Sequence, residues 1–528
     1  MPAAPAKGLT EAKKQGAAGR RQRPGALETA REDAVPDKTP AAPRCAALIG
    51  PYSSGKTTLL ESLLAATGAI ARKGSVREGN SVGDSSPEAR ARQMGTELNI
   101  ATAEYLGDPW TLLDCPGNVE LAQETYDALA VADAAVLVCE PNAERAVAVA
   151  PILKFLDDQK IPHLVFINKM DASEANPREA VEALQAVSER PLVLREIPIR
   201  SGERTVGLVD LVSERAFRWI PGKASELIPL PDPVKDEEKA ARAEFLETIA
   251  DFDDAILEKL LEEGTPSPGE IYASLTRDLK DDLIVPVFFG SALNDNGVRR
   301  LMKALRHETP GPQAAARRFA SAGGADEPTA YVFKTHHAPH SGKLSYARVL
   351  KGEIADGMTL GGERVGGILK PLGAKGDKLA KAGPGAVVAL GRLEHARTGS
   401  VLTPAAAKPA AIAPRLGSLY ALAIRTEQRA DEVKLSGALA RLVEEDPSLH
   451  FENNPETGEF LLWGQGDVHL HVAIDRLAKR YNLAVKADRP RVPYKETIRK
   501  GVSQHARHKK QSGGHGQFAD VHVDIKPL

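Results

Sequence analysis

One eight-residue segment constrains the fold of this chain more than any other feature. An apolar run at residues 45–49 precedes the segment, and a helical pattern at residues 58–66 follows it. It matches the pattern G-x-x-x-x-G-K-[ST] and reads Gly50-Pro51-Tyr52-Ser53-Ser54-Gly55-Lys56-Thr57. Such a loop presents backbone N–H groups and a helix N-terminus to phosphate. We therefore predict a nucleotide site in which Lys56 reaches the β- and γ-phosphates and Thr57 binds Mg²⁺.

The pattern around this loop predicts a doubly wound α/β domain. Short apolar runs alternate with helical stretches, at residues 45–49, 110–113, 134–139, 163–167 and 285–289. Runs of this length and composition are typical of buried parallel strands. The domain is predicted to span residues 45–310, with a charged, helical insertion at about 191–280.

A second motif, Asp114-Cys115-Pro116-Gly117, ends the second apolar run. By itself D-x-P-G is simply a good turn. Combined with the phosphate loop, the motif predicts a switch segment that the bound nucleotide and Mg²⁺ would order. Asp114 would hold the metal through a water molecule, and Gly117 would let the backbone approach the γ-phosphate.

Two further motifs indicate that the base is guanine. Asn168-Lys169-Met170-Asp171 follows the fourth apolar run, and Ser291-Ala292-Leu293 follows the last one. A carboxylate at Asp171 can accept hydrogen bonds from N1–H and the N2 amino group of guanine, whereas adenine offers neither donor. The Ala292 N–H is predicted to meet the guanine O6. An enzyme that uses ATP is disfavoured by Asp171.

The remainder of the chain predicts three further units and a tail. Residues 1–44 lack aromatic side chains and predict a disordered tail. Short strand-like runs with glycine-rich turns predict a β-barrel domain at residues 328–403. A βαββαβ pattern predicts a ferredoxin-like domain at residues 415–488. Residues 489–528 predict the start of a fourth domain.

Composition limits the classes of partner. The formal net charge is −2, so contact with nucleic acid requires a local basic patch. The basic run at residues 507–510 could contact nucleic-acid phosphates or be ordinary surface. Four histidines between residues 505 and 522 favour a solvated surface over a metal site. Three cysteines without C-x-x-C spacing, and no apolar run of membrane-spanning length, predict a cytoplasmic protein that contacts no membrane.

The four nucleotide motifs, in this order, resemble the GTPase domain of translation factors. Downstream segments resemble elongation factor G: residues 441–447 (RLVEEDP), 464–470 (GQGDVHL) and 509–518 (KKQSGGHGQF). The resemblance implies a monomeric GTP hydrolase that uses Mg²⁺ and acts on the ribosome and its rRNA. Tetracycline ribosomal-protection proteins share this architecture. Release factor 3 and elongation factor Tu lack the fourth-domain opening. We expect the chain to end inside that domain, as a fragment or a truncated product.

Two departures from the family pattern concern catalysis. Asn118 occupies the position of the histidine that orients the attacking water, next to the other catalytic candidates Gly117 and Lys56. Glu97 occupies the place of a Mg²⁺-binding threonine, and Thr96 and Thr102 are the alternative candidates for that ligand. These changes leave two functions open. One is a GTPase that drives translocation or ribosome disassembly, and the other is a GTP-dependent ribosome-binding regulator with weak or no hydrolysis.

Overall fold

A computed structural model describes residues 41–145, 147–171, 177–202, 204–319, 327–338, 342–410, 412–511 and 513–527. Most of the predicted tail, residues 1–40, lies outside the described part, whereas Arg44 is the first residue of a buried strand. Among the described residues, no helix is both long and apolar enough to cross a membrane.

The first domain (residues 41–319) is built on a parallel sheet in the order β3-β1-β4-β5-β11-β6, with β2 antiparallel to β3. Its strands are β1 (Arg44–Ile49), β2 (Asn99–Tyr105), β3 (Asp108–Asp114), β4 (Ala134–Cys139), β5 (His163–Ile167), β6 (Leu192–Leu194), β7 (Glu196–Ser201), β8 (Arg204–Asp210), β9 (Arg215–Arg218), β10 (Glu226–Ile228) and β11 (Val285–Phe289). Its helices are α1 (Lys56–Thr67), α2 (Pro87–Arg92), α3 (Ala122–Val131), α4 (Ala150–Asp158), α5 (Pro177–Gln185), α6 (Lys235–Ala250), α7 (Asp254–Leu261), α8 (Pro268–Lys280), α9 (Val298–Glu308) and α10 (Gln313–Arg317).

Both faces of this sheet are covered by helices. In β1, Cys45, Ala47 and Ile49 pack into one apolar cluster, whereas Ala46 and Leu48 pack into the cluster on the opposite face. Because alternate side chains of a strand point to opposite faces, a strand buried on both sides needs a continuous apolar sequence. The predicted doubly wound α/β fold is therefore confirmed.

The insertion differs from its helical prediction. Helices α6, α7 and α8 are present, but they pack on a four-stranded antiparallel sheet, β10-β9-β8-β7, which the sequence analysis did not foresee. These strands are only three to seven residues long, and their exposed and buried residues do not alternate regularly. Such short segments between charged turns give a weak periodic signal.

In the described residues of the second domain (327–338 and 342–410) the regular elements are all strands, but the predicted β-barrel is not closed. Its main strands follow the open order β22-β21-β12-β13-β20-β17, and β17 then pairs with β2 of the first domain at Leu372 and Ala101. The lengths of strands in a sequence do not show which strand pairs with a neighbouring domain. Here the pairing of β17 with β2 takes the place of a pairing that would close the barrel. The strands are β12 (Thr329–Ala338), β13 (Gly342–Lys351), β14 (Ile354–Ala355), β15 (Thr359–Leu360), β16 (Glu363–Arg364), β17 (Ile368–Leu372), β18 (Lys375–Leu379), β19 (Lys381–Ala382), β20 (Val387–Gly391), β21 (Ser400–Leu402) and β22 (Ala407–Pro409).

The third domain (residues 412–488) has the predicted ferredoxin-like fold. Its sheet order is β24-β25-β23-β26, with the two helices packed on one apolar cluster. A two-stranded hairpin follows this domain. The elements are β23 (Tyr420–Thr426), α11 (Glu432–Glu445), β24 (His450–Asn453), β25 (Phe460–Gly464), α12 (Asp467–Tyr481), β26 (Val485–Asp488), β27 (Val502–Lys510) and β28 (Gln517–Ile525).

A buried ion pair joins the first two domains. The Arg348 guanidinium donates to Asp133 Oδ2 at 2.7 Å, and each side chain is only 1% exposed. The same Asp133 oxygen accepts the Cys45 N–H at 2.7 Å, and Arg348 also donates to the Val131 carbonyl at 3.1 Å. The pair therefore holds β13 against the start of β1.

Replacing Asp133 with alanine should destabilise the protein strongly, because it leaves the Arg348 charge buried without a partner. Breaking one partner of a buried pair costs about 3–5 kcal/mol. Thermal unfolding would be compared with Asp488→Ala, which breaks an exposed pair with Arg425. Equal melting temperatures for the two variants would contradict this role of Asp133.

Candidate nucleotide-binding site

The predicted nucleotide motifs meet at one edge of the sheet. The phosphate loop follows β1, Asp114 ends β3, Asn168 follows β5 and Ser291 follows β11. Carboxyl ends of parallel strands are the usual place for ligands in open α/β sheets. A cleft of about 230 Å³ at this edge is lined by the phosphate loop, Gly117 and Lys169.

The phosphate loop adopts a conformation that glycine permits. Gly50 and Gly55 have φ values of 135° and 94°, a region that side chains disfavour. A side chain at Gly50 would also collide with the Val138 carbonyl. Helix α1 begins at Lys56, so its free N–H groups face the loop, where an anion is stabilised.

Lys56 is folded over this loop. Its Nζ donates to the carbonyls of Gly50 and Pro51, both at 2.9 Å. Burial lowers the pKa of the ammonium, although Asp114 opposes that effect. The side chain thus lies inside the loop, where it can be drawn to a phosphate.

The predicted metal ligands are adjacent. Thr57 Oγ1 donates to Asp114 Oδ2 at 2.8 Å, and Asp114 Oδ1 is buried without a hydrogen-bond partner among the described residues. Burial, with a contribution from nearby Asp84, raises the pKa of Asp114 to about 7. A cation that took the free carboxylate oxygen would offset this penalty. Hydroxyl and carboxylate oxygens fit Mg²⁺, which prefers oxygen ligands.

Asp84 is a site residue that the sequence analysis missed. It is 2% exposed, lines the cleft, and both its carboxylate oxygens lack a hydrogen-bond partner in the described part of the chain. Burial raises its pKa to about 6. Asp84 lies in an irregular segment before α2, where no periodic pattern or motif pointed to it.

The loop after Asp114 lies directly against the phosphate loop. A side chain at Gly117 would meet the Lys56 ammonium, the Pro51 carbonyl and the Tyr52 N–H, so only glycine fits there. The next residue, Asn118, uses its side-chain oxygen to accept the Glu120 N–H at 2.9 Å. Asn118 therefore caps the short turn Val119–Leu121 through its own side chain.

Asn168 fastens two loops together. Its Nδ2 donates to the Ser54 carbonyl at 2.9 Å, and its Oδ1 accepts the Ala292 N–H at 2.8 Å. The Ala292 N–H was predicted to meet a guanine O6, but in this structure its partner is the Asn168 side chain. Leu293, the last residue of this motif, is exposed.

The neighbouring residues of the N-K-x-D motif also have partners. Asp171 Oδ2 accepts the Asn294 side-chain amide at 2.5 Å. Lys169 Nζ donates to the Ser53 carbonyl at 2.7 Å and contacts the Glu140 carboxylate. The motif is therefore tied both to the phosphate loop and to the loop after β11.

Glu97 lies in a different environment from the one predicted. Its carboxylate contacts Arg476 at 3.4 Å and Arg480 at 3.3 Å, both on α12 of the third domain. Burial would raise the pKa of Glu97, but Arg476 and Lys334 outweigh burial and hold it below its ordinary range. The role of Glu97 at a metal-ligand position stays a prediction, and in this structure these cations take up its charge.

A second acidic residue also contacts α12. Glu120 Oε2 accepts the His469 N–H at 2.9 Å in the first turn of the helix. A carboxylate at a helix N-terminus is stabilised by the free N–H groups there. His469 itself is buried and pairs with Asp446 at 2.9 Å. Both segments that flank the cleft thus contact the same helix of the third domain.

Comparisons with known proteins agree with this architecture. The chain matches the family models described as "Elongation factor Tu GTP binding domain" (residues 43–311), "Elongation factor G domain 2" (327–405), "Elongation Factor G, domain III" (417–489) and "Elongation factor G, domain IV" (490–528). A solved structure of a Thermus thermophilus protein superposes with a TM-score of 0.79 at 32% identity, covering 92% of this chain and 73% of that one.

Curated relatives point to the same family. "Elongation factor G-like protein" of Synechocystis is 49% identical over 486 residues, which is 92% of this chain and 72% of that protein. "Elongation factor G 2" of Streptomyces coelicolor is 32% identical over 502 residues, which is 91% of this chain and 72% of that protein. Fold, motifs and relatives define a translational GTPase. More narrowly, the chain belongs to the elongation factor G family.

The contacts of Glu97 predict the effect of Glu97→Gln. The neutral amide leaves Arg476 buried with a weaker partner, so residues 92–98 and α12 should exchange amide hydrogens faster. The pKa of Glu97 is lower in the folded protein than in the unfolded chain. The contribution of Glu97 to the free energy of unfolding is therefore present above its ordinary pKa of ~4.3 and is lost as pH falls through the folded pKa. Hydrogen–deuterium exchange would be compared with Glu427→Gln, whose pair with Lys486 is exposed. Unchanged exchange in Glu97→Gln would contradict the contact's importance.

Proposed function

We propose that this protein binds GTP with Mg²⁺ and hydrolyses it on the ribosome to drive or reset a step of translation. The observation that carries the proposal is the meeting of the phosphate loop, the Thr57–Asp114 pair and the Asn168–Asp171 motif at one cleft. The lysine and the N-terminus of α1 would neutralise phosphates. Thr57, Asp114 and Asp84 would hold the metal, which would balance charge on the phosphates.

Guanine selectivity is assigned to Asp171 and the loops tied to it. Asp171→Asn should weaken GTP binding and shift preference toward xanthosine triphosphate, because the N2 amino donor of guanine is a carbonyl in xanthine. Binding of both nucleotides and of ATP would be measured by titration calorimetry. Asp158→Asn, at an exposed position on α4, is the matched control. If the unmodified protein bound ATP and GTP equally, the assignment to Asp171 would be wrong.

Hydrolysis depends on how the attacking water is oriented. Asn118 can hydrogen-bond a water, but an amide cannot carry positive charge, and its oxygen already accepts the Glu120 N–H. Groups that transfer protons or stabilise charge typically contribute ~10²–10⁴-fold to rate. Slow turnover with tight GTP binding is therefore expected.

Asn118→His should raise ribosome-stimulated hydrolysis by at least about tenfold, which corresponds to ~1.4 kcal/mol of barrier. Asn142→His is a close control, because Asn142 caps another short turn by accepting the Glu144 N–H at 2.9 Å. Single-turnover hydrolysis of labelled GTP would be measured after ribosome binding has been verified for each variant. A parent rate already equal to that of an ordinary elongation factor would rule out this account of Asn118.

A second function is favoured by the same residue. A protein that binds GTP and the ribosome but hydrolyses slowly would act as a GTP-dependent regulator. The capping role of Asn118 supports this function, since it engages the side-chain oxygen with the Glu120 N–H. Ribosome binding that persists with GTP for many minutes, without hydrolysis, would distinguish the regulator from the GTPase.

A further inference from the structure

A buried cluster of acidic and imidazole groups lies at the edge of the sheet opposite the nucleotide motifs. Asp157 is in the last turn of α4, His163 is the first residue of β5, and Asp282 is in the loop between α8 and β11. They are 3%, 0% and 2% exposed. One potential ligand atom from each lies within 4.8 Å of the other two.

Each member of this cluster has a buried atom without a hydrogen-bond partner in the described part of the chain. These atoms are Asp157 Oδ1, His163 Nε2 and Asp282 Oδ1. The separation of His163 Nδ1 from Asp282 Oδ1 is 3.7 Å, which exceeds hydrogen-bond distance. Leaving a buried polar group unpaired costs about 1–3 kcal/mol, so three at one place require an explanation.

The remaining polar atoms of the cluster are held from outside. His163 Nδ1 lies 3.0 Å from the Ile161 carbonyl, which makes Nδ1 the protonated nitrogen and leaves the Nε2 lone pair free. Asp157 Oδ2 accepts the Glu189 N–H at 3.3 Å, and Asp282 Oδ2 accepts from Arg190 at 3.4 Å. Metal-binding histidines usually donate their second nitrogen to a carbonyl or carboxylate in this way.

The charges also favour a cation. Two buried carboxylates face a neutral imidazole, and Arg190 contacts only Asp282 among the three, with Lys160 adding a more distant positive charge. A divalent ion would compensate both carboxylates and accept the imidazole lone pair.

We propose that Asp157, His163 and Asp282 bind one divalent transition-metal ion of the Zn²⁺ type. Imidazole nitrogen together with carboxylate oxygen is a common zinc ligand set, whereas Mg²⁺ and Ca²⁺ take oxygen ligands. The ion would fasten the loop before β11 to the α4–β5 connection. This site is separate from the nucleotide cleft, and it does not depend on the proposed GTPase activity.

Zn²⁺ binding to the whole chain is the test. Protein freed of metal with a chelator would be loaded with Zn²⁺, and bound metal measured by mass spectrometry. Co²⁺ would serve as a visible-absorption probe of the ligand set. One tightly held ion per chain is expected. Asp157→Asn and Asp282→Asn should reduce that content to near zero and weaken the Co²⁺ absorption.

Two control variants separate this site from other candidates. His522→Gln disrupts the exposed group His505, Asp520 and His522, whose ligand atoms also lie within 4.8 Å of one another. Asp114→Asn disrupts the nucleotide cleft. Both variants should retain the ion. Loss of the ion in either of them, with retention in Asp157→Asn, would overturn the proposal.

A measurement that leaves the cluster intact covers the case in which the buried variants fail to fold. A ligand that binds only the folded state raises the melting temperature as its concentration increases. The melting temperature of His522→Gln should therefore rise with Zn²⁺ and fall with chelator. If neither Zn²⁺ nor the chelator changes the melting temperature, or if no stoichiometric metal is retained, the proposal is wrong. The cluster then shares a proton instead of a metal ion.

Discussion

The buried contact of Asp133 with Arg348 determines how the first two domains meet. It places the second domain so that β17 extends the first sheet beside β2, and so that Lys334 reaches Glu124 on α3 at 2.6 Å. Glu124 also accepts the N–H of Leu98 at 2.5 Å. One desolvated ion pair thus positions the strands and charges on which the segment before β2 rests.

The arrangement places the two segments that flank the cleft between two other domains. Leu98 is held through Glu124, Glu97 contacts the C-terminal half of α12, and Glu120 binds the first turn of the same helix. A ligand can shift a conformational equilibrium only through contacts that differ between states. If either segment moved when a phosphate bound, its charged contacts with α12 would break or form. The third domain therefore has a direct physical link to the cleft.

Sequence analysis predicted the parts of the structure that local patterns encode. Continuous apolar runs identified β1 and its parallel neighbours, and the βαββαβ pattern identified the third domain. The phosphate loop was recognisable because its function requires adjacent residues. Asp84 was missed because it lies in an irregular segment without a motif. The pairing of Glu97 with Arg476 was missed because it joins residues that are distant in the chain. For the same reason the open edge at β17 was mistaken for part of a closed barrel.

The two residues that were expected to depart from the family pattern have different surroundings in the structure. Asn118 follows the cleft-lining Gly117, and its short side chain caps a turn by accepting the Glu120 N–H. Glu97 is matched by two arginines on α12, and its charge serves to join domains. A residue that differs from a motif but has charged partners in another domain couples the two domains mechanically. Of these two residues Glu97 has such partners in another domain, whereas the partner of Asn118 is the Glu120 N–H of its own turn.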